Sequence, residues 1–171
     1  MNNNIFLIGF MGSGKSTVGH ILSEKLGYSF ADTDNIVEKD WEMSISSMFE
    51  EHGENYFRER EYKALKKVIE NKNQVVSTGG GIVTFEKSRE LLEGQEVYYI
   101  DVDSETVYKR LKSDNTRPLL KNCSFEKMSD LLSFRKKIYE NTCTSKIDGK
   151  KDPQKVAEDI IFNMSLIHDR P

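Results

Sequence analysis

Apolar residues along this chain alternate between short solid runs and longer stretches of helical spacing. Ile5 to Ile8 is a solid run that stops at Gly9, the mark of a buried central strand. From Lys15 onward, Val18, Ile21, Leu22 and Leu26 recur at helical spacing until Gly27 ends the pattern. Tyr28 to Ala31 reads as a second short strand, followed by Asp32-Thr33-Asp34 and a helix through Ile36, Val37 and Trp41. Ser44 or Ser46 caps a further helical turn whose apolar face is Ile45, Met48 and Phe49. Beyond Gly53 a helix over about 54–71 turns Phe57, Ala64, Leu65, Val68 and Ile69 inward, with Glu61 the polar exception in the stripe. Val75 and Val76 begin a third strand that ends in Gly79-Gly80-Gly81, and a helix near 86–92 follows. Val97 to Ile100 is another buried strand, and Val107 and Leu111 mark a helix after Asp103 or Ser104. Residues 113–123 read as a polar loop. A helix over about 125–143 then carries Met128, Leu131, Leu132, Ile138 and Tyr139 inward. A weak last strand lies near 145–147, and Pro153 opens a final helix with Val156, Ile160, Ile161 and Met164 on its apolar side.

Strand and helix in this alternation predict an α/β fold, a parallel sheet covered on both faces. With 171 residues and no repeat or linker, the chain reads as a single domain over 1–171. A net charge of -3 gives no broad basic field, so nucleic acid is not an expected partner. It leaves room for a local basic pocket. Cys123 and Cys143 make no disulfide framework, and His20, His52 and His168 show no metal-ligand spacing. The N-terminal segment has neither the basic region of a signal peptide nor the length of a membrane span, so the cytoplasm is the expected compartment.

The chemistry begins after the first strand. Residues 9–16 read Gly-Phe-Met-Gly-Ser-Gly-Lys-Ser, the pattern of a phosphate-binding loop, and they lie between a predicted strand and a predicted helix. Gly9, Gly12 and Gly14 allow backbone N–H groups to close on an anion, to which the helix adds its positive end. Lys15 reaches the terminal phosphates and Ser16 is placed to ligate Mg²⁺, while Thr17 bonds locally or to phosphate. A GTPase would need a base-recognition sequence such as Asn-Lys-x-Asp, which the chain lacks.

An acceptor pocket is also written in the sequence. If Asp32 and Asp34 lie in extended chain, both point the same way, toward the C-terminal edge of the sheet. We expect Asp32 to organise magnesium and Asp34 to engage an acceptor hydroxyl. The bland alternative makes Asp34 a helix cap. Arg58 and Glu61 share a helix face, so the acid can hold the guanidinium for a ligand carboxylate. Three successive glycines, 79–81, make sense where a ligand lies against the main chain. Arg117-Pro118 in the polar loop offers an arginine to close over the phosphates, and one member of the Arg135-Lys136-Lys137 run is expected in the site.

Taken in order, the motifs resemble the shikimate kinase family, within the nucleoside-monophosphate-kinase-like group. They are Gly9 to Ser16, Asp32-Thr-Asp34, Gly53-Glu54 with Phe57-Arg58 and Glu61, Gly79-Gly-Gly81, Arg117-Pro-Leu-Leu120, and Arg135 with Tyr139. The resemblance spans nearly the whole length. It implies a five-stranded parallel sheet of order 2-3-1-4-5, a substrate-binding region at 32–61 and a lid at 112–124. It implies transfer of the γ-phosphoryl of ATP to the 3-hydroxyl of shikimate, with Mg²⁺, on the route to chorismate and aromatic amino acids. Lys15, Asp34 and Arg117 are the implied catalytic residues. Gly12, Ser13, Gly14, Lys15, Ser16, Thr17, Arg110, Arg117 and Pro153 would bind nucleotide. Asp34, Arg58, Gly79, Gly80, Gly81 and Arg135 would bind shikimate, and Ser16 and Asp32 the metal. A monomer is expected. A gluconate-kinase-like enzyme or a regulatory ATP-binding module are the rival readings.

Overall fold

The computed structural model describes residues 3–113 and 124–168. Strands β1 (Ile5–Ile8), β2 (Ser29–Asp32), β3 (Gln74–Ser77), β4 (Glu96–Asp101) and β5 (Ser145–Asp148) form one sheet in the order β2-β3-β1-β4-β5, with every neighbouring pair parallel. The helices are α1 (Lys15–Leu26), α2 (Thr33–Trp41), α3 (Ile45–His52), α4 (Glu54–Ile69), α5 (Glu86–Leu92), α6 (Ser104–Ser113), α7 (Phe125–Thr142) and α8 (Pro153–His168). The central strand β1 is buried along its whole length, as its solid apolar run requires.

Most apolar side chains join one core, in which β1, β3 and β4 pack against α1, α7 and α8. A second, smaller core gathers Val37, Met48, Phe57 and Ala64, with Trp41, Ile45 and Phe49 around them. The buried members of that second core all come from α2, α3 and α4. Helix α4 serves both, since Leu65 and Val68 on its other side belong to the main core.

Several boundaries differ from the sequence reading. Strand β2 runs on to Asp32, and β3 stops at Ser77, so Thr78 separates it from the glycines. A short 3₁₀ turn, Ile82–Thr84, follows the glycines without a periodic signal to announce it. Helix α3 is capped by Ser44, whose side chain accepts from the Ser47 N–H. Helix α7 buries Met128, Leu132, Arg135 and Tyr139, while Leu131, expected inward, is 37% exposed. Leu131 falls one residue before Leu132, at the rim of the seam, and the seam itself includes a buried arginine. No helix among the described residues is long and apolar enough to cross a membrane.

Candidate active site

The phosphate loop connects β1 to α1, and Gly14 sits at its end with φ 97°, a left-handed conformation that disfavours any side chain. Gly14 is the N-cap of α1 and offers no side-chain acceptor to the first helical N–H groups, so that helix end is shaped for an anion. The Lys15 ammonium donates to the carbonyls of Gly9 (2.8 Å) and Phe10 (2.9 Å) and to Ser13 Oγ (3.4 Å). The loop is thus wrapped around its own lysine. Arg110 on α6 donates to the carbonyls of Gly12 (3.3 Å) and Ser13 (3.1 Å) and to Gly149 O (3.0 Å), tying the loop to the turn after β5. Pro153 begins α8 and is not among the residues that line the phosphate-loop cleft.

The sheet register sets Asp32 beside Ser77 at the ends of β2 and β3. Ser16 Oγ donates to Asp32 Oδ2 at 3.0 Å and lies 3.1 Å from Ser77 Oγ. The other oxygen, Asp32 Oδ1, accepts from the N–H groups of Asp34 (3.0 Å) and Asn35 (3.4 Å), so Asp32 is the N-cap of α2. This corrects the expected geometry of the acidic pair. Helix α2 has already begun at Thr33, so Asp34 faces the site from a first helical turn and not from extended chain. It also removes the alternative in which Asp34 is the cap. Hydroxyl and carboxylate oxygens around Ser16 and Asp32 are the hard donors that Mg²⁺ takes, so this pair fits the ion.

A cleft of about 400 Å³ collects Gly12, Gly14, Lys15, Ser16, Thr17, Asp32, Asp34, Gly80 and Arg110 along its walls. Ser13 is buried beneath the loop. Arg117 and residues 114–123 of the expected lid lie outside the described residues, as does Cys123.

Behind Gly80 the acceptor side is built from buried charge. Arg58 donates to Glu61 Oε2 at 2.6 Å and, from Nε (3.2 Å) and Nη2 (3.0 Å), to Glu54 Oε1. Burial pulls the Arg58 pKa down, but Glu61 and Glu54 more than offset it, and the guanidinium stays charged. Glu61 has no solvent exposure, and its carboxyl is pushed up to about 7 by burial, with Asp34 adding to the rise and Arg58 and Arg135 opposing it. Arg135 is the one buried member of its basic run, and it donates to Gly80 O at 3.3 Å. The Tyr139 hydroxyl, pushed up to about 12 by burial, donates to the same carbonyl. The Tyr139 ring stacks on Tyr99 with centroids 4.9 Å apart.

The three glycines are not a flexible turn. A Cβ on Gly79 would overlap Glu61 Oε1 and come within 2.6 Å of Asp34 Oδ1. One on Gly81 would overlap the Arg58 guanidinium, and one on Gly80 would reach 3.0 Å from Met11 N in the phosphate loop. The space over this backbone is occupied by the protein's own charged groups, which are thereby drawn to within reach of the phosphate loop. Two residues here escaped the sequence reading. Thr33 Oγ1, fully buried, accepts from Gly79 N at 3.0 Å, and Ser77 faces Ser16. A polar residue directly after the apolar pair Val75-Val76 was the one available signal for Ser77.

A family model described as shikimate kinase matches residues 11–165. A shikimate kinase of Persephonella marina is 42% identical over 159 residues, covering 92% of this chain and 96% of its own. That of Aquifex aeolicus is 39% identical, covering 94% and 95% of the two chains. Among solved structures, a shikimate kinase from Acinetobacter baumannii in complex with shikimate is similar with a TM-score of 0.90 at 33% identity, covering 100% of this chain and 97% of its own. A deoxyadenosine kinase from M. mycoides, at 17% identity and a TM-score of 0.67, shares the fold.

Proposed function

The chain belongs to the shikimate kinase family, and from that premise we propose that it transfers the γ-phosphoryl group of ATP to the 3-hydroxyl of shikimate. The products are ADP and shikimate 3-phosphate, in the step toward chorismate and aromatic amino acids. The observation that carries this reading is the position of Gly80. Its backbone packs against the phosphate loop, while its carbonyl is held by Arg135 and Tyr139. On this reading a phosphate donor site and a carboxylate-binding site meet across one peptide.

In this reading Arg58 and Arg135 take the shikimate carboxylate, and the 3-hydroxyl faces Asp34. Asp34 accepts a hydrogen bond from that hydroxyl and aims its oxygen at the γ-phosphorus. Lys15 exchanges loop carbonyls for phosphate oxygens. Gly12, Gly14, Ser16 and Thr17 line the phosphate path, and Arg110 braces the loop from the side on which Pro153 and the adenine would lie. Ser16 and Asp32 would hold Mg²⁺, which neutralises phosphate charge when bound. Arg117, by the family pattern, meets the phosphates from the lid at 112–124, and residues 32–61, whose Val37, Met48 and Phe57 share the small core with Ala64, form the shikimate-binding region. The balanced charge supports a small metabolite as partner over nucleic acid, and we read the protein as a cytoplasmic monomer.

The test is ADP release with ATP and Mg²⁺, measured with shikimate, with gluconate and with water alone. Shikimate should far exceed the other two. Equal release without shikimate would leave an ATPase, and preference for gluconate would replace the acceptor.

A further inference from the structure

Glu61 is a fully buried carboxyl whose two oxygens have unlike surroundings. Oε2 is fixed by Arg58 at 2.6 Å. Oε1 is buried and has no hydrogen-bond partner among the described residues. It faces the space above the Gly79 Cα, and Asp34 Oδ1 faces that same space from α2. Two ionised oxygens aimed at one point repel, whereas a single proton between them makes a strong hydrogen bond.

Charge counting gives the direction of change when substrate arrives. Among the described residues, the groups facing Glu61 are Arg58 on its own helix, backed by the half-exposed Glu54, then Asp34 from α2, and Arg135 and Tyr139 from α7. Among the described residues, with Tyr139 neutral, the innermost set is two cations, Arg58 and Arg135, against two carboxylates, Glu61 and Asp34. A ligand carboxylate on the two arginines adds a third anion and draws off the cations that keep Glu61 ionised. Neutralising Glu61 restores the balance at two against two.

We propose that Glu61 carries a proton on Oε1 when shikimate is bound and donates it in a hydrogen bond to the Asp34 carboxylate, so that substrate binding near neutral pH takes up a proton from solvent. This inference rests on the shikimate kinase reading. In this arrangement Asp34 accepts from Glu61 on one oxygen and from the substrate hydroxyl on the other. Glu61 is therefore a positioning residue that acts through Asp34. The free protein is poised for the change, since burial already holds this carboxyl close to neutral pH, at about 7.

Calorimetry of shikimate binding at pH 7.5, in buffers of different ionisation heat, reads the proton directly. The wild-type protein should take up a substantial fraction of one proton, and its shikimate Kd should weaken toward tenfold per pH unit above about pH 7. Glu61→Gln keeps the shape and an N–H donor toward Asp34, so it should bind shikimate with no proton uptake and a Kd that stays level from pH 6 to 8.5. The wild-type protein labelled with ¹³C-glutamate gives a second readout if that variant does not fold. In its shikimate complex one glutamate carboxyl carbon should keep its protonated chemical shift above pH 8. Binding without proton uptake, uptake unchanged in Glu61→Gln, or the absence of any protonated glutamate in the complex would each overturn this inference alone. Absence of any shikimate binding would remove the kinase reading as well.

Discussion

Glu61 exchanges hydration for one strong contact, and the loss of water outweighs the contact: its carboxyl rises from 4.5 to about 7. The folded protein therefore holds this proton more tightly than the unfolded chain does. Its contribution to stability is full below about pH 4.5, declines between about pH 4.5 and 7, and is flat above that. The change amounts to about 3 kcal/mol for this group. Urea denaturation of the wild type and Glu61→Gln across pH 5 to 8 should show the difference between them shifting toward the variant as pH rises. A difference independent of pH would mean that the buried carboxyl titrates normally. Asp34 is not the cap of α2, which is Asp32. Asp34→Asn removes the charge and keeps the size, so folding and ATP binding should persist. Turnover should fall roughly 10²–10⁴-fold, the scale of a positioned acid–base group. Single-turnover transfer with both substrates saturating measures it, and a rate near wild type would take Asp34 out of the chemistry.

Between residue and fold, the segment 79–81 decides how closely α2, α4 and the phosphate loop approach. Gly81 has φ -105°, which alanine tolerates, so Gly81→Ala acts through its methyl alone. That methyl lands on the Arg58 guanidinium. Shikimate affinity should drop by roughly 2–5 kcal/mol, the range for losing one partner of a buried charged pair, while ATP affinity holds. Calorimetry with each ligand separates the two, and an unchanged shikimate Kd would show that Arg58 does not bind the carboxylate. The importance of three glycines in a row was legible in the sequence, because nothing in a strand or helix needs them. What fills the space above them was not, because Asp34 and Glu61 reach it from elements far away in sequence. The start of α2 is not legible from residue type, for a local reason. Asp32 and Asp34 are equally good caps, and residue type alone does not choose between them. Two further hydrogen bonds to the Asp32 side chain show which was taken. Arg58–Glu61, by contrast, was legible from spacing alone, because i and i+3 on a helix must meet.

On the scale of the whole chain, element type followed from apolar periodicity, but strand order did not, since periodicity says nothing of which strands pair; the order came from the family resemblance and agrees with the sheet. Nor did periodicity show that there are two cores. The stripe of α4 looks continuous in sequence, yet Phe57 and Ala64 face α2 and α3 while Leu65 and Val68 face the main sheet. This division predicts where the molecule yields first. Met48 is fully buried in the small core, and Met48→Ala should cost about 2–5 kcal/mol, the usual range for such a cavity. The loss falls on α2, α3 and the first turns of α4, which carry Asp34, Arg58 and Glu61. Lys15 and Ser16 instead start α1, which packs in the main core through Val18 and Leu22. Hydrogen exchange in Met48→Ala should therefore quicken in α2 and α3 while β1, β3 and β4 keep their protection. The KM for shikimate should rise with ATP affinity unchanged. If protection drops equally across the sheet, the two cores open as one unit and the shikimate side has no independent motion. If α3 alone loosens and the shikimate KM stays put, Asp34 and Arg58 are held by the sheet and the glycine segment, and the small core is not what positions them.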